Sequence, residues 1–185
     1  MILWCAYCQV FQGEVEPFAR YNLTHGICAA CMGKGLEVLD ADFSRIRSLQ
    51  GLQEDLLKAG ISRDLVSAKA AIDKARLMGV KNVDILVGII APILWQTGDL
   101  WEAGEISVAD EHRFSAFLAT VIDEIEGVEL TQVPLLPDQR LDILLADAPG
   151  NHHTLGIRIV NLWLNANGVS AKTVTGKMSL GLIRE

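Results

Sequence analysis

The stretch at residues 141–156, LDILLADAPGNHHTLG, decides the fold of the C-terminal part of the chain. It begins with a short apolar run of the kind that forms a strand buried on both faces, and turn residues at 147–151 interrupt that run. From Gly156 the apolar residues recur with helical spacing, and a β-rich run follows at 169–175. Strand, polar loop, helix and strand in this order predict the opening βαβ unit of a parallel α/β sheet.

The polar loop of this unit presents two adjacent histidines, His152 and His153. Loops at the carboxyl ends of parallel strands are where open α/β sheets bind ligands. A solvated pair of histidines, or one that caps the helix, is the simple alternative. Asn151, His153 and Gly156 have the spacing Asn-x-His-x-x-Gly, which resembles the Asp-x-His-x-x-Gly signature of cobalamin-binding domains.

In that family the histidine displaces the cofactor's own base and becomes the lower axial ligand of cobalt. The resemblance therefore implies that His153 binds the cobalt of cobalamin. A ligating imidazole needs a partner on its second nitrogen to fix its tautomer and orientation. The family uses an aspartate, whereas this chain has Asn151, whose amide oxygen accepts a hydrogen bond but brings no charge.

Composition narrows the class of protein. The chain has 185 residues, of which 50% are hydrophobic and 21% are charged, so it can bury one good core or two small ones. A net charge of −7 and a pI near 5.1 argue against a nucleic-acid or membrane surface as partner. The longest apolar run, at 85–95, contains Pro92 and is too short to span a bilayer. With no targeting segment in view, we expect a cytoplasmic protein.

Two C-x-x-C pairs, Cys5-Ala6-Tyr7-Cys8 and Cys28-Ala29-Ala30-Cys31, are separated by nineteen residues and account for every cysteine. Each pair puts two thiolates on one tight turn, and two such turns close a tetrahedron around zinc. Two disulfides are the alternative, but a cytoplasmic compartment keeps thiols reduced. Residues 1–35 are thus predicted to form a zinc ribbon whose metal is structural, because four thiolates leave no open coordination position.

The second pair lies in Thr24-His25-Gly26-Ile27-Cys28, which resembles the "His-Gly-Ile-Cys" knuckle of small zinc ribbons attached to bacterial sensory proteins. The resemblance associates the ribbon with signalling. His25 is expected to buttress the knuckle and not to act as a fifth ligand.

Residues 36–127 carry four amphipathic patterns, which predict a four-helix bundle. The first runs over 42–59 and closes at Gly60, the second starts at the cap Ser62 and stops at Gly79, the third follows the cap Asn82 to about Glu102 with a kink at Pro92, and the fourth opens with a capping box at 107–110. Residues 128–140, with two prolines, are predicted to be a linker, and 141–185 the start of the α/β domain.

A second motif lies where the third helix ends and the fourth begins. Trp101 is followed after nine residues by Glu111-His112, and Ser115 shares a helical face with Glu111. Alone, these would be a core tryptophan and a solvated first turn. Upstream of His153, they resemble the helical cap of cobalamin-dependent light sensors and corrinoid carrier proteins, over roughly residues 53–175. The resemblance implies that the bundle covers the upper face of the corrin, that Trp101 packs on the upper ligand, and that Glu111, His112 and Ser115 line the pocket.

The fold class expected is α+β and multi-part: a zinc ribbon, a four-helix bundle, and the start of a Rossmann-like (flavodoxin-like) cobalamin-binding domain. The chain departs from the family in two ways. Such a domain needs about five strands, and the sequence predicts two, so another segment or chain is expected to complete the sheet. Some light sensors follow the cap tryptophan with a histidine, and Glu102 stands there in this chain.

Three functions are compatible with these motifs. The first is a cobalamin-binding sensory or regulatory module, with light as one stimulus and the ribbon as a docking or stabilising element. The second is a corrinoid carrier that brings a methyl group to a methyltransferase. The third is a zinc-ribbon interaction protein without cofactor. The cofactors expected are zinc and adenosylcobalamin or methylcobalamin, and protein partners or self-association through the bundle or ribbon are expected. No nucleophile arrangement is present, so we expect no catalysis by the chain itself.

Overall fold

The computed structural model describes residues 1–38, 41, 43–129, 142–148, 151 and 153–174. The chain divides into two compact units, Met1–Ile125 and Glu126–Glu185. Helices and sheets occur together, and the predicted α+β multi-part class is confirmed. Residues 130–140 of the predicted linker, His152, and everything from Thr175 onward lie outside the described residues.

The first unit opens with a small sheet. Its strands are β1 (Ile2–Cys5), β2 (Phe11–Glu14) and β3 (Leu23–Gly26) in the order β2-β1-β3, with β1 antiparallel to β2 and parallel to β3. A single-turn helix, α1 (Ala29–Met32), follows. The first C-x-x-C pair begins at Cys5, the last residue of β1, and the second begins at Cys28, two residues after β3.

Four helical segments follow the small sheet, and the last of them extends from the first unit into the second. They are α2 (Ser44–Ser62), α3 (Leu65–Leu77), a continuous helix at Asn82–Glu102, and α6 (Val108–Glu129). The third consists of α4 (Asn82–Ile85), a π-helical turn (Leu86–Ile90) and α5 (Ala91–Glu102). The apolar faces meet in one core, whose fully buried members include Leu49, Leu52, Leu56, Ile85, Leu86, Ile89, Ile90, Ile93, Leu118 and Ile122.

Helix α2, the first of the four predicted bundle helices, does not end at Gly60 as predicted. It continues to Ser62 and terminates at Arg63, whose φ is 57°. Gly60 serves packing instead, because a Cβ there would lie 2.3 Å from the ring of Phe114. The predicted cap Ser62 is also wrong, since Asp64 caps α3 by accepting the backbone N–H of Ser67 at 3.1 Å.

Asn82 does not cap its helix through its side chain, contrary to prediction. Its amide is buried, with Oδ1 accepting from Arg76 Nε at 2.9 Å and Nδ2 donating to the carbonyl of Ile125 at 3.3 Å. The capping box of α6 is confirmed, because Ser107 Oγ accepts the N–H of Asp110 and the Asp110 carboxylate accepts the N–H of Ser107.

The π-helical turn explains how the chain accommodates Pro92. Proline has no N–H to donate to the carbonyl four residues earlier, and its ring crowds that carbonyl. The turn before it is widened, and the N–H of Ala91 donates to the carbonyl of Leu86, five residues back. The helix Asn82–Glu102 is the one helix among the described residues that is long and apolar enough to cross a membrane, with a mean hydropathy of 1.4. Half of the apolar stretch of this helix is buried within the protein, as in a core helix.

The ribbon sheet packs directly on the helices. Trp4 is completely buried, and its ring occupies the space beside Gly88, where a Cβ would lie 2.3 Å from Trp4 Cζ2. The buried carboxyl of Asp84, one turn earlier, accepts the backbone N–H of Phe11, while its burial raises its pKa. On α2, Gln50 Oε1 accepts the N–H of Leu23 at 2.8 Å. Residues 1–35 and the helices therefore share one core.

The second unit contains β4 (Ile143–Ala146), α7 (Leu155–Ala166) and β5 (Ala171–Val174), with β4 and β5 parallel. This is the predicted βαβ order. The expected burial of the first strand on both faces is wrong for the described residues, because Leu144 is 42% exposed. Only one face of this two-stranded sheet has a helix packed on it in the described part of the unit.

Replacing Gly88 with alanine tests the joint between ribbon and helix. The added methyl collides with the Trp4 ring, so Gly88→Ala should lower the free energy of unfolding by about 1–3 kcal/mol. Gly51→Ala on α2 is the matched control, since a Cβ there meets nothing within 4 Å, and it should stabilise by about 0.5–1 kcal/mol. Urea unfolding of both variants gives the comparison, and equal stabilities would contradict the packing described.

Candidate functional site

The four cysteine sulfurs form one cluster. The Sγ atoms of Cys5, Cys8, Cys28 and Cys31 all lie within 4.8 Å of one another, and Cys8 and Cys28 are 3.6 Å apart. A tetrahedral zinc ion with bonds of about 2.3 Å places its sulfur ligands roughly 3.8 Å apart. A disulfide would need about 2.05 Å, and all four cysteines are free. The cluster thus has the dimensions of a tetrathiolate metal site.

Burial and hydrogen bonds shift the pKa values of the thiols in opposite directions. Burial raises the pKa of the Cys5 thiol, but hydrogen bonds from the backbone of Cys8, Cys28 and Tyr7 outweigh it and bring the pKa to about 6. Burial raises the pKa of Cys8 to about 12, and the neighbouring thiols add to that effect. Four adjacent thiolates without a cation would repel one another, so a bound divalent ion would supply the charge that lets all four ionise.

His25 lies beside the cluster without joining it. Its ring packs against Phe43, with the ring centroids 4.0 Å apart and the planes tilted by 38°. The metal-competent group of the described residues consists of the four cysteines alone. This position agrees with the predicted buttressing role, because the imidazole links the second knuckle to the residue that precedes α2.

Trp101 occupies the last turn of α5. Its side chain is 46% exposed, so it is not a core residue of the bundle in the described structure. Gly104, with φ of +74°, ends the helix directly after this turn. Two residues before Trp101, the carboxylate of Asp99 accepts the hydroxyl of Tyr21 at 2.5 Å.

Glu111, His112 and Ser115 are brought together in the first turns of α6. The Glu111 side chain is nearly buried, and its Oε1 accepts the hydroxyl of Ser115 at 2.6 Å. Its Oε2 lies 3.6 Å from Nε2 of His112, whose own side chain is exposed. The hydroxyl of Ser115 therefore holds the carboxylate, and the exposed imidazole of His112 lies beside it.

Asn151 and His153 lie in the second unit, in the loop between β4 and α7. Asn151 Oδ1 accepts the backbone N–H of His153 at 3.0 Å. The Asn151 side chain thus binds the backbone of the loop. The resemblance to cobalamin-binding domains had implied that its oxygen accepts a hydrogen bond from the His153 imidazole instead. Gly156 is the second residue of α7, and the space that a Cβ would fill there is open.

The predicted site residues fall into two groups. Trp101, Glu111, His112 and Ser115 belong to the first unit, and Asn151, His153 and Gly156 belong to the second. His152 lies outside the described residues. The sequence did not reveal the Tyr21–Asp99 hydrogen bond or the Trp4–Gly88 contact. The one available signal was a glycine within the long apolar run at 85–95.

The first unit thus combines a four-cysteine cluster that could hold a metal with a helical part that carries Trp101 and Glu111-His112. Residues 52–126 match the family described as B12 binding domain. The match confirms the resemblance to cobalamin-binding domains. The family is one of cofactor-binding domains, in agreement with the expectation that the chain is not itself catalytic.

Among solved structures, the chain resembles a chain from the methanol:cobalamin methyltransferase complex MtaBC of Methanosarcina barkeri. The TM-score is 0.42 and the identity 15%, covering 82% of this chain and 60% of that one. This chain therefore spans about three fifths of the length of its structural relative. No curated protein gives a significant match.

Metal analysis tests the thiol cluster. The purified protein should contain one zinc per chain, and Cys8→Ser should release it and unfold the ribbon, because a structural zinc site provides ~10–16 kcal/mol. Ala30→Ser, at an exposed position inside the second C-x-x-C, should retain the metal. Absence of metal together with four freely titrating thiols in the native protein would refute the site.

Proposed function

We propose that this chain binds cobalamin, with the helical unit over the upper face of the corrin and His153 as the lower axial ligand of cobalt. The match of residues 52–126 to the B12 binding domain family carries the proposal. That range includes Trp101 and the cluster of Glu111, His112 and Ser115. Zinc in the ribbon completes the set of cofactors.

On the upper face, each residue offers a distinct contact. Trp101 presents about half of its ring surface outward, where it can stack on an upper ligand. Glu111 is a nearly buried acceptor whose Oε1 is already hydrogen-bonded to Ser115. The exposed imidazole of His112 donates or accepts a hydrogen bond according to its tautomer.

On the lower face, the loop before α7 presents His153 as a cobalt ligand. A neutral imidazole is a suitable donor for a borderline transition metal. Asn151 holds the backbone of this loop, and the open space at Gly156 permits close approach of a large flat cofactor. Bound cobalamin would supply a cobalt–carbon bond that light or a nucleophile can break.

We infer a sensory or regulatory role, with light as one stimulus, because the Trp101 ring offers stacking area that suits a bulky adenosyl ligand. A methyl carrier is the second candidate. It is favoured by the 46% exposure of Trp101, because a carrier must leave the upper face accessible to its methyltransferase. We place the protein in the cytoplasm, with protein partners or self-association through the bundle or ribbon. The regions proposed are a zinc ribbon at 1–35, a four-helix bundle that caps cobalamin at 36–127, a linker at 128–140 and the start of the Rossmann-like cobalamin-binding domain at 141–185.

Substitution of the two loop histidines tests the lower ligand. With cobalamin bound, His153→Ala should return the visible spectrum to the base-on or water-ligated form, because only His153 stands three residues before Gly156. His152→Ala is the matched control and should change the spectrum little. The opposite ranking would show that the other histidine is the ligand, and absence of cobalamin binding by the wild type would refute the proposed function.

Affinities for two cobalamins test the upper face. Wild type should bind adenosylcobalamin more tightly than methylcobalamin, by up to about tenfold, since an aromatic contact contributes about 0.5–1.5 kcal/mol beyond its buried area. Trp101→Ala should remove this preference. Trp95→Ala is the control, because Trp95 is a comparably exposed tryptophan (53%) on the same helix. Titrations in the dark that show equal binding, or a preference for methylcobalamin, would favour the carrier.

A further inference from the structure

We propose that the ribbon fixes the position of the Trp101-bearing turn, so that Tyr21 and Trp4 are positioning residues for the upper face of the cobalamin pocket. This inference deepens the proposed function and rests on it. It assigns the ribbon a part in ligand selection at the pocket, beyond docking or stabilisation.

The first link joins the ribbon to the last turn of α5. Tyr21 lies between β2 and β3, and its carbonyl accepts a hydrogen bond from Gln53 Nε2 at 3.1 Å. Its hydroxyl donates to Asp99 Oδ2 at 2.5 Å. Burial and the neighbouring Asp99 carboxylate raise the pKa of Tyr21 to about 12, so the phenol keeps its proton and stays a donor.

The backbone of this turn is closed by its own hydrogen bonds, so what Tyr21 adds is a restraint from outside the helix. Trp101 is nearly half exposed, so burial alone does not fix its ring. The carbonyl of Asp99 accepts the N–H of Ala103 at 2.9 Å, and that of Trp101 accepts the N–H of Gly104 at 2.9 Å. By holding the side chain of Asp99, Tyr21 restrains the turn from which Trp101 projects.

The second link joins the ribbon to the first half of the continuous helix Asn82–Glu102, which ends in α5. The ring of Trp4 sits where a Cβ of Gly88 would be, inside the π-helical turn. A π-helical turn changes the rotational register of all residues that follow it. The Phe11 backbone N–H, donated to Asp84, adds a second contact there. The ribbon therefore contacts the continuous helix Asn82–Glu102 at two places, Asp84–Gly88 and Asp99. At 1.5 Å per residue these two places are about 20 Å apart.

The two contacts depend on the knuckles. Trp4 directly precedes Cys5, and Tyr21 lies two residues before β3, which leads to Cys28. These two strands are hydrogen-bonded to each other in parallel, and a metal bound by the thiol cluster would brace their ends. Metal in the ribbon and the setting of Trp101 are thereby coupled through a short chain of direct contacts.

Tyr21→Phe isolates this coupling, because it removes one hydroxyl and leaves the ring. Tyr7→Phe is the matched control, since its hydroxyl donates to the Glu37 carbonyl at 2.6 Å and not to α5. Both variants are labelled with 5-fluorotryptophan, and the Trp101 resonance is assigned by its loss in Trp101→Phe. In cofactor-free protein, Tyr21→Phe should shift or broaden the fluorine resonance of Trp101, and Tyr7→Phe should leave it unchanged.

The second readout is cofactor affinity. Tyr21→Phe should weaken adenosylcobalamin binding by about twofold to tenfold, the range of one hydrogen bond, and Tyr7→Phe should not. If the Trp101 resonance and the affinity of Tyr21→Phe both equal those of wild type, the positioning role is overturned while cobalamin binding stands. If wild type binds no cobalamin, the proposed function and the role of Tyr21 in ligand selection both fail, and an unchanged Trp101 resonance would also exclude the mechanical link.

Discussion

The contact between the Trp4 ring and the bare backbone of Gly88 is the constraint on which the first unit depends. A tetrathiolate ribbon is too small to bury a core of its own, and its one fully buried tryptophan finds that core on a helix. The helix can accept the ring because residue 88 has no side chain. Ribbon, π-helical turn and α5 therefore belong to one compact unit, and the four-cysteine cluster and Trp101 are parts of the same unit.

Features set by local chemistry could be predicted from the sequence. The C-x-x-C pairs place their thiols on tight turns, and the sulfurs come together as expected. The capping box of Ser107 and Asp110 forms because its partners are three residues apart. The βαβ order of the second unit follows from the period of the apolar residues. In each case the deciding interaction lies within a few residues or within a repeated pattern.

The features that escaped prediction are set by residues far apart in the chain. A glycine such as Gly60 is typical of a helix end, yet the helix continues to Ser62. The glycine is needed because the ring of Phe114 occupies the space that a Cβ would fill. An asparagine such as Asn82 is typical of a helix N-cap, yet its side-chain amide forms hydrogen bonds with Arg76 and with the carbonyl of Ile125. At the candidate site, local spacing identified Glu111, His112 and Ser115, whereas the Tyr21–Asp99 bond spans 78 positions and leaves no local pattern.

Nitrogen ligation of cobalt is the most direct test of the central claim, that His153 holds cobalamin in this protein. The full chain is produced with histidine labelled with nitrogen-15, loaded with unlabelled cobalamin, reduced to cobalt(II) and examined by electron paramagnetic resonance. The unpaired electron couples to the axial nitrogen, so a labelled histidine ligand should convert the superhyperfine triplet of ordinary nitrogen into a doublet, and His153→Ala should abolish that doublet. A triplet that persists in the labelled protein would mean that the cofactor keeps its own base, and the account would be contradicted.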